Sequence, residues 1–336
     1  MVDFDSHILG KAIDEAWKEQ FLTYPNPPVA AVVVKNNQII SLQTHKKAGE
    51  PHAEVLAFKE AYKKLTDDKG IDSSKSSAEL HNYLSTNAKE LFKECTLYIT
   101  LEPCHHHGKT PPCSDLIGRL KPKKVVFATY DPNKDAGGGA KYLKSVGVDI
   151  SHCALKDAEA KELIKPFVIW QKRAYILFKI AIREDGSYDG GVISSLRSRE
   201  LVHKIRSSIS LLAIGGDSVR IDRPLLDSRL IGQKPPDVQI LTSKEVDRDI
   251  PLFSVKGRSV TIKKELDLQT PSLVMVEGGG RLLEALAPKI DMLGVFVAPK
   301  TGGSRYLPSD LNLSPIHSYT IGEDRLDYFS LPHTHI

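Results

Sequence analysis

Three residues that bind soft metals recur in the first third of the chain at spacings suited to a catalytic zinc. His52 lies in the run Pro51-His-Ala-Glu54, Cys104 follows Pro103, and Cys113 follows Pro112. A catalytic zinc takes three protein ligands from imidazole and thiolate and keeps a fourth position for water. One His and two Cys meet that count. Glu54, two residues beyond His52, stands where a carboxylate can serve the water without ligating the metal. In a hydrolytic deamination it would take the water's proton and deliver protons to a ring nitrogen and to departing ammonia. Helices opening at His52 and Cys104 would add a dipole that favours thiolate and hydroxide. The alternative, a closed structural zinc site, needs a fourth ligand, which His105, His106 or His107 could supply.

The interval between the cysteines narrows the chemistry. Nucleic-acid and nucleoside deaminases place them three apart, as Cys-x-x-Cys. Here the loop Cys104-His-His-His-Gly-Lys-Thr-Pro-Pro-Cys113 is longer and carries Lys109 and a hydroxyl, which suit a substrate phosphate. The formal charge of +4 over 336 residues is mildly basic, as an anionic small molecule would want, and falls short of a nucleic-acid stripe. No apolar run has the length of a membrane span, and the first residues lack the regions of a signal peptide, so a cytoplasmic protein is expected. In that reducing compartment four cysteines point to metal or catalysis rather than disulfides. Cys95 and Cys153 stand apart and read as small buried hydrophobes. His333 and His335 read as exposed tail residues.

The elements that must position these groups alternate. Helical spacing runs over 5–22, a strand over 29–34, a turn at Asn36-Asn37 and a returning strand over 38–42. A helix follows over 52–65, a strand over 95–100, a helix over 115–120, a strand over 125–130, a helix over 140–146 and a strand over 148–151. The expectation is an α/β fold, a mixed sheet with helices on both faces. Residues 66–94 break the rhythm and read as an insertion, a polar loop and one helix opened by the capping-box pair Ser76 and Glu79. A helix over 157–163 leads to Pro166, the expected hinge. The division is then 1–155 and 166–336, a length that suits two domains.

The second half reads as α/β with hints of nucleotide binding. Glu277-Gly-Gly-Gly280 sits between a strand over 273–276 and a helix over 281–287, and Gly215-Gly216 ends a strand over 211–214. Glycines there let a backbone approach a phosphate at a helix N-terminus. A tight strand-to-helix turn is the plainer reading, and it is the one favoured for Gly137-Gly-Gly139.

At several runs the sequence resembles the bifunctional riboflavin-biosynthesis deaminase/reductase family. They are Pro25-Asn-Pro27, Ala48-Gly-Glu-Pro-His-Ala-Glu54, Thr100-Leu-Glu-Pro-Cys104, His106-His-Gly-Lys-Thr-Pro-Pro-Cys113 and Asp131-Pro-Asn133. Further on come Lys179-Ile-Ala181 with Asp185-Gly186, then Ser218 to Arg229, Val276-Glu-Gly-Gly279 and Ala298-Pro-Lys300. The resemblance implies a cytidine-deaminase-like N-terminal domain and a dihydrofolate-reductase-like C-terminal domain. It also implies a diaminopyrimidinone ribosylamino 5′-phosphate as substrate, Zn2+ and NADPH as cofactors, and a homo-oligomer that binds neither nucleic acid nor membrane. By the same resemblance Asn26 and His45 would contact base or ribose, and Lys109 and Thr110 the phosphate end. Ala181, Ser218, Asp222, Gly279, Gly280 and Arg281 would face NADPH. Arg206, Leu226, Arg229 and Glu277 would face the ribosyl phosphate, and hydride transfer would open ribose to a ribityl chain.

The chain departs from the family pattern at Ala30-Ala31 and His105, which touch no ligand or acid/base. It departs more in the second half, with Arg183-Glu184 for Ser-Leu, Gly190 for a serine, Val192 for a tryptophan and Arg223 for an aspartate. Two other readings therefore stand beside the bifunctional one. One is a deaminase with a non-catalytic assembly domain, the other a nucleic-acid-editing deaminase.

Overall fold

The computed structural model describes residues 3–332 apart from 74–75, 89, 107, 109, 134–136 and 309–310. His107, Lys109, His333 and His335 lie outside the described residues. The chain divides into two units, Met1–Val168 and Ile169–Ile336. Among the described residues no helix is long and apolar enough to cross a membrane.

The first unit opens with α1 (Phe4–Trp17), whose N-cap Asp3 accepts a hydrogen bond from the Ser6 amide. β1 (Ala30–Lys35) and β2 (Gln38–Thr44) form a hairpin. Asn36 and Asn37 both take positive φ, 51° and 61°, as a two-residue turn matched to strand twist requires. α2 (Ala53–Thr66), α3 (Ser77–Asn87), β3 (Cys95–Ile99), α4 (Cys113–Leu120), β4 (Lys124–Phe127), α5 (Gly139–Ser145) and β5 (Ile150–His152) follow. The strand order is β2-β1-β3-β4-β5, antiparallel up to β3 and parallel beyond it, so the sheet is mixed as expected. Ala31 and Val33 of β1 join one core with Val55 and Phe58 of α2, Leu116 of α4 and Leu143 of α5. Their neighbour Val32, also fully buried, faces the other side, where α1 runs along β1 and β3. Ser76 and Glu79 make the reciprocal capping box at the start of α3.

Pro166 is not where the helix ends. α6 (Asp157–Trp170) runs through it, and the units divide three residues further on. Proline costs the helix one amide donor at that point. Gln20, buried in the loop after α1, donates to the Leu163 carbonyl and fastens the helix to the first unit.

The second unit contains β6 (Ala174–Arg183), α7 (Leu196–Ser208), β7 (Leu211–Gly215), α8 (Gly216–Asp222), β8 (Val238–Leu241), β9 (Val260–Lys263), β10 (Ser272–Glu277), α9 (Gly280–Leu286) and β11 (Met292–Ala298). β12 (Ser314–Ile321) and β13 (Asp324–Ser330) form an antiparallel hairpin that the sequence reading did not anticipate. β12 alternates half-buried and exposed residues at the sheet edge, so it has no continuous apolar run to betray it. The order is β12-β13-β11-β6-β10-β7-β8-β9, parallel from β11 to β9. Neighbouring β6, β10 and β7 therefore end at one carboxyl edge, where ligands of open α/β sheets bind.

One buried carboxylate ties the entry of β6 to that of β11. Asp291, 5% exposed, accepts from both Nη atoms of Arg173 at 2.9 and 2.6 Å and from the Ile176 amide at 2.9 Å. Asp291→Ala strands a buried amide and is expected to lower stability by roughly 2–3 kcal/mol. Urea unfolding reads this as an earlier transition of the second unit, and an unchanged midpoint would count against it.

Candidate active site

α2 begins at Ala53 because Pro51 and His52 hold extended backbone ahead of it, and His52 is its N-cap without using its side chain to cap. The imidazole is left available. α4 begins at Cys113 itself, after Pro112. The sequence reading had helices opening at His52 and Cys104, but Cys104 lies in the preceding loop and Cys113 takes the helical position. The two cysteines are still locked together, since the Cys113 amide donates to Cys104 Sγ at 3.3 Å and the Ser114 amide to the Cys104 carbonyl at 3.1 Å.

His52 Nδ1 lies 3.6 Å from Cys104 Sγ and 3.4 Å from Cys113 Sγ, and the three ligand atoms fall within 4.8 Å of one another. Tetrahedral zinc at ordinary Zn–N and Zn–S lengths sets N and S about 3.5 Å apart. The donor set and its spacing therefore fit the metal. Among the described residues no fourth ligand joins the group. His105 is engaged elsewhere, its Nδ1 2.8 Å from Ser114 Oγ and its ring stacked on Tyr142 at 4.4 Å. The described residues thus offer three ligands, the number a catalytic zinc takes from the protein, with His107 outside them.

The electrostatics follow from burial. The Cys113 thiol donates to Cys104, which together with His52 outweighs the cost of burial and holds the Cys104 pKa down to about 4. The same bond and burial push Cys113 up. Burial opposes a charged His52, but Cys104 and Glu54 beside it more than compensate and raise its pKa. Glu54, buried in the first turn of α2, is raised by desolvation and then by the Cys104 thiolate, with His52 acting the other way. A carboxylate held above its usual range accepts and returns protons nearer neutral pH.

A cavity of about 330 Å³ opens beside these groups, a size fit for a small ligand. Asn26 and His45 line it with His52, Glu54 and Thr110. His45 Nδ1 lies 3.2 Å from the Pro51 carbonyl, which only accepts, so Nδ1 carries the proton and Nε2 accepts from Asn26 Nδ2 at 3.1 Å. Burial, then the charge of His52, depress the His45 pKa to about 4, which keeps that neutral tautomer. Asn26 is thereby turned so that Nδ2 meets the ring and Oδ1 is left to accept. Lys109, expected at the phosphate end, lies outside the described residues. Thr110, expected at the phosphate end, has its Oγ1 3.3 Å from His52 Nε2, on the side of the ring away from the sulfurs. Two acidic or amide side chains left unassigned by the sequence reading, Asp131 and Asn133, line the same cavity, as does Glu102. Their signal lay in the runs Asp131-Pro-Asn133 and Thr100-Leu-Glu-Pro-Cys104, which were noted without roles.

In the second unit Glu277, at the end of β10, receives Arg206 Nε at 2.8 Å and Nη2 at 2.9 Å, and lies 3.8 Å from Lys179 Nζ of β6. Burial alone would raise Glu277, but Arg206 and then Lys179 outweigh it and bring it to about 2. Lys179, which opens the run Lys179-Ile-Ala181 but has no role assigned from sequence, is lowered by burial against the pull of Glu277. Arg206 and Glu277 thus meet each other at the carboxyl edge. The other predicted groups are spread around it. Leu226 is buried with φ 54°, and its carbonyl accepts from Arg258 at 2.5 Å. Arg229 is largely exposed and pairs with Asp227 at 2.8 Å. Ala181 is half-buried in β6, Ser218 half-buried and Asp222 exposed in α8, and Arg281 exposed in α9. Gly279 and Gly280 lie close under a side chain from a distant loop. A Cβ on Gly279 would lie 3.0 Å from the Tyr188 ring, and one on Gly280 3.2 Å from its hydroxyl.

The departures in this half also find a physical use. Arg183 is 7% exposed and donates to the Asp189 carbonyl at 2.6 Å and the Gly190 carbonyl at 3.1 Å, bracing the loop that carries Tyr188. Arg223 pairs with Asp247 at 2.7 Å. Val192 is 67% exposed, and nothing in the structure explains it.

The Thr110 contact makes a prediction. Partners on the far nitrogen of a ligand histidine orient the ring, and losing one weakens metal binding by about 10–100-fold. Thr110→Val is expected to raise the zinc dissociation constant by that order in chelator competition. Wild-type affinity in the variant would make the contact incidental.

Comparison with known proteins places these features. Residues 2–129 match the family model of the cytidine and deoxycytidylate deaminase zinc-binding region. The riboflavin biosynthesis protein RibD of Aquifex aeolicus is 30% identical over 97% of this chain and 98% of its own length. RibD of Escherichia coli K12 is 28% identical over 89% of this chain and 89% of its own. The crystal structure of a Thermotoga maritima diaminohydroxyphosphoribosylaminopyrimidine deaminase/5-amino-6-(5-phosphoribosylamino)uracil reductase superposes with a TM-score of 0.66 at 27% identity, covering 98% of this chain and 99% of that one. The match runs through both units, so the fold is a cytidine-deaminase-like unit followed by a dihydrofolate-reductase-like one. Neither a nucleic-acid-editing deaminase nor a deaminase with a non-catalytic assembly domain is favoured. With its zinc-type ligand triangle and full-length relatives on both sides of the unit boundary, the chain belongs to the RibD family of riboflavin biosynthesis proteins.

Proposed function

We propose that the first unit hydrolytically deaminates a diaminopyrimidinone ribosylamino 5′-phosphate and that the second reduces the deaminated product's ribosyl group to a ribityl chain with NADPH. Family membership makes the chain an enzyme of riboflavin biosynthesis with a deaminase and a reductase activity. The substrate and the nicotinamide cofactor are our reading. The observation that carries it is the His52–Cys104–Cys113 triangle with buried Glu54 beside it, in a cavity of ligand size.

Zinc, held by those three residues, would supply a Lewis acid that makes water nucleophilic at neutral pH. Glu54 receives the water's proton at a carboxylate oxygen and passes protons to the ring nitrogen and the leaving amine. Asn26, fixed by His45, offers Oδ1 to an amine or ring N–H of the pyrimidine. Lys109 and Thr110 are assigned to the phosphate end by family resemblance, and Thr110 also steadies His52. In the second unit Glu277 holds Arg206 in place, and with Leu226 and Arg229 they make the side we assign to the ribosyl phosphate. Ala181, Ser218, Asp222, Gly279, Gly280 and Arg281 make the side we assign to NADPH. A cytoplasmic homo-oligomer that acts on small molecules, not nucleic acid, completes the reading.

A coupled assay tests both halves. Zinc-loaded protein with the diaminopyrimidinone substrate is expected to release ammonia without NADPH and to oxidise NADPH once it is added. Glu54→Gln should keep its zinc and lose ammonia release by about 10²–10⁴-fold. Arg206→Ala should do the converse, stopping NADPH oxidation while ammonia release continues. Zinc-loaded protein that releases no ammonia would overturn the substrate. Ammonia release with no NADPH oxidation would overturn the reductase assignment.

A further inference from the structure

We propose that Glu102 is a positioning residue of the deaminase, a buried carboxylate that holds the Asp131–Asn133 rim of the cavity in register with the Cys104 ligand. The inference rests on the deaminase reading of the first unit and adds a residue to it.

Glu102 is 7% exposed and lies two residues before Cys104. Its own amide donates to the Thr129 carbonyl at 2.8 Å, which fixes it against the end of β4. Its two carboxylate oxygens serve two different segments. Oε2 accepts from the Asp131 amide at 3.3 Å, and Oε1 accepts from the Ala140 amide at 3.0 Å, in the first turn of α5. One side chain therefore fastens both the rim loop and the helix that follows it.

The rim has its own internal ties. The Asn133 amide donates to Asp131 Oδ1 at 2.8 Å, and the Gly137 amide donates to the Asn133 carbonyl at 2.9 Å. Asp131, Asn133 and Glu102 all line the cavity that holds His52 and Glu54. On the other side α5 is pressed against the ligand loop. A Cβ at Gly139 would stand 1.9 Å from the Pro103 carbonyl oxygen, so no other residue fits without moving the helix or Pro103. Pro103 precedes Cys104 directly. Glu102 and Gly139 thus grip α5 and the ligand loop together from two sides. A carboxylate suits this task because both of its oxygens accept, whereas an amide side chain offers one acceptor and one donor.

The experiment uses full-length, zinc-loaded protein and the variants Glu102→Gln and Glu102→Asp. Gln keeps the size and loses one acceptor. Asp keeps the charge and is one methylene too short to reach both amides. If Glu102 acts by position, both variants bind one zinc per chain and oxidise NADPH with the deaminated substrate as the wild type does. Both also raise KM for ammonia release by roughly tenfold or more, with a smaller change in kcat. Hydrogen exchange at the Asp131 and Ala140 amides rises in both, and exchange in α4 does not. A KM restored by Asp but not by Gln would mean that charge, not position, is what matters, and would overturn the proposal. Unchanged exchange at those two amides in both variants would overturn it also. The exchange readout needs no substrate, so it stands even where the wild type releases no ammonia and the substrate reading itself has failed.

Discussion

Three ligand atoms from three separate stretches of chain must meet within a few ångströms, and much of the first unit's geometry is subordinate to that requirement. His52 comes from the residue ahead of α2, Cys104 from the loop after β3, and Cys113 from the first position of α4. β3 lies between β1 and β4, so the loop that leaves it emerges at the middle of the sheet. The strand-loop-helix order then returns the chain to the same spot nine residues later. The amides at the start of α4 bind Cys104 through both its sulfur and its carbonyl. A soft-metal site held this firmly needs only a fourth, open position to be catalytic.

Around that centre the protein arranges groups in pairs, each fixing the other. His45 is locked as one tautomer by the Pro51 carbonyl and in turn orients Asn26. Thr110 steadies the far nitrogen of His52. Glu102 joins the rim loop to α5. Each tie places a polar atom in a buried setting where it cannot be left unpaired without cost, so the cavity wall is over-determined. Preorganisation of this kind is what a deaminase needs, because its proton transfers depend on the placement of a single carboxylate.

The second unit reaches a similar end through charge. Glu277, Arg206 and Lys179 share the carboxyl edge of parallel strands, two cations about one buried carboxylate. The loop braced by Arg183 then brings Tyr188 over the glycine turn at 279–280.

What the sequence alone determined is the chemistry written in residue type and short spacing. His52, Cys104 and Cys113 announce a metal site because few other residue types bind soft metals, and Glu54 follows His52 closely enough in the chain to share its place. Asn36-Asn37 announces a hairpin because positive φ is a local property, and Ser76 with Glu79 announces a helix start for the same reason. The tertiary structure alone decided which distant groups meet. It paired Arg206 with Glu277, set Tyr188 against Gly279, gave Pro103 as the reason for Gly139, and carried α6 through Pro166. It also revealed Glu102 and Asp131 as neighbours and the β12–β13 hairpin as the edge of a sheet. Apart from the helix at Pro166 and the pairing within the hairpin, these are contacts between residues tens of positions apart, set by packing and topology. Periodicity and spacing in one sequence carry the local backbone rules but not the identity of a partner across the fold.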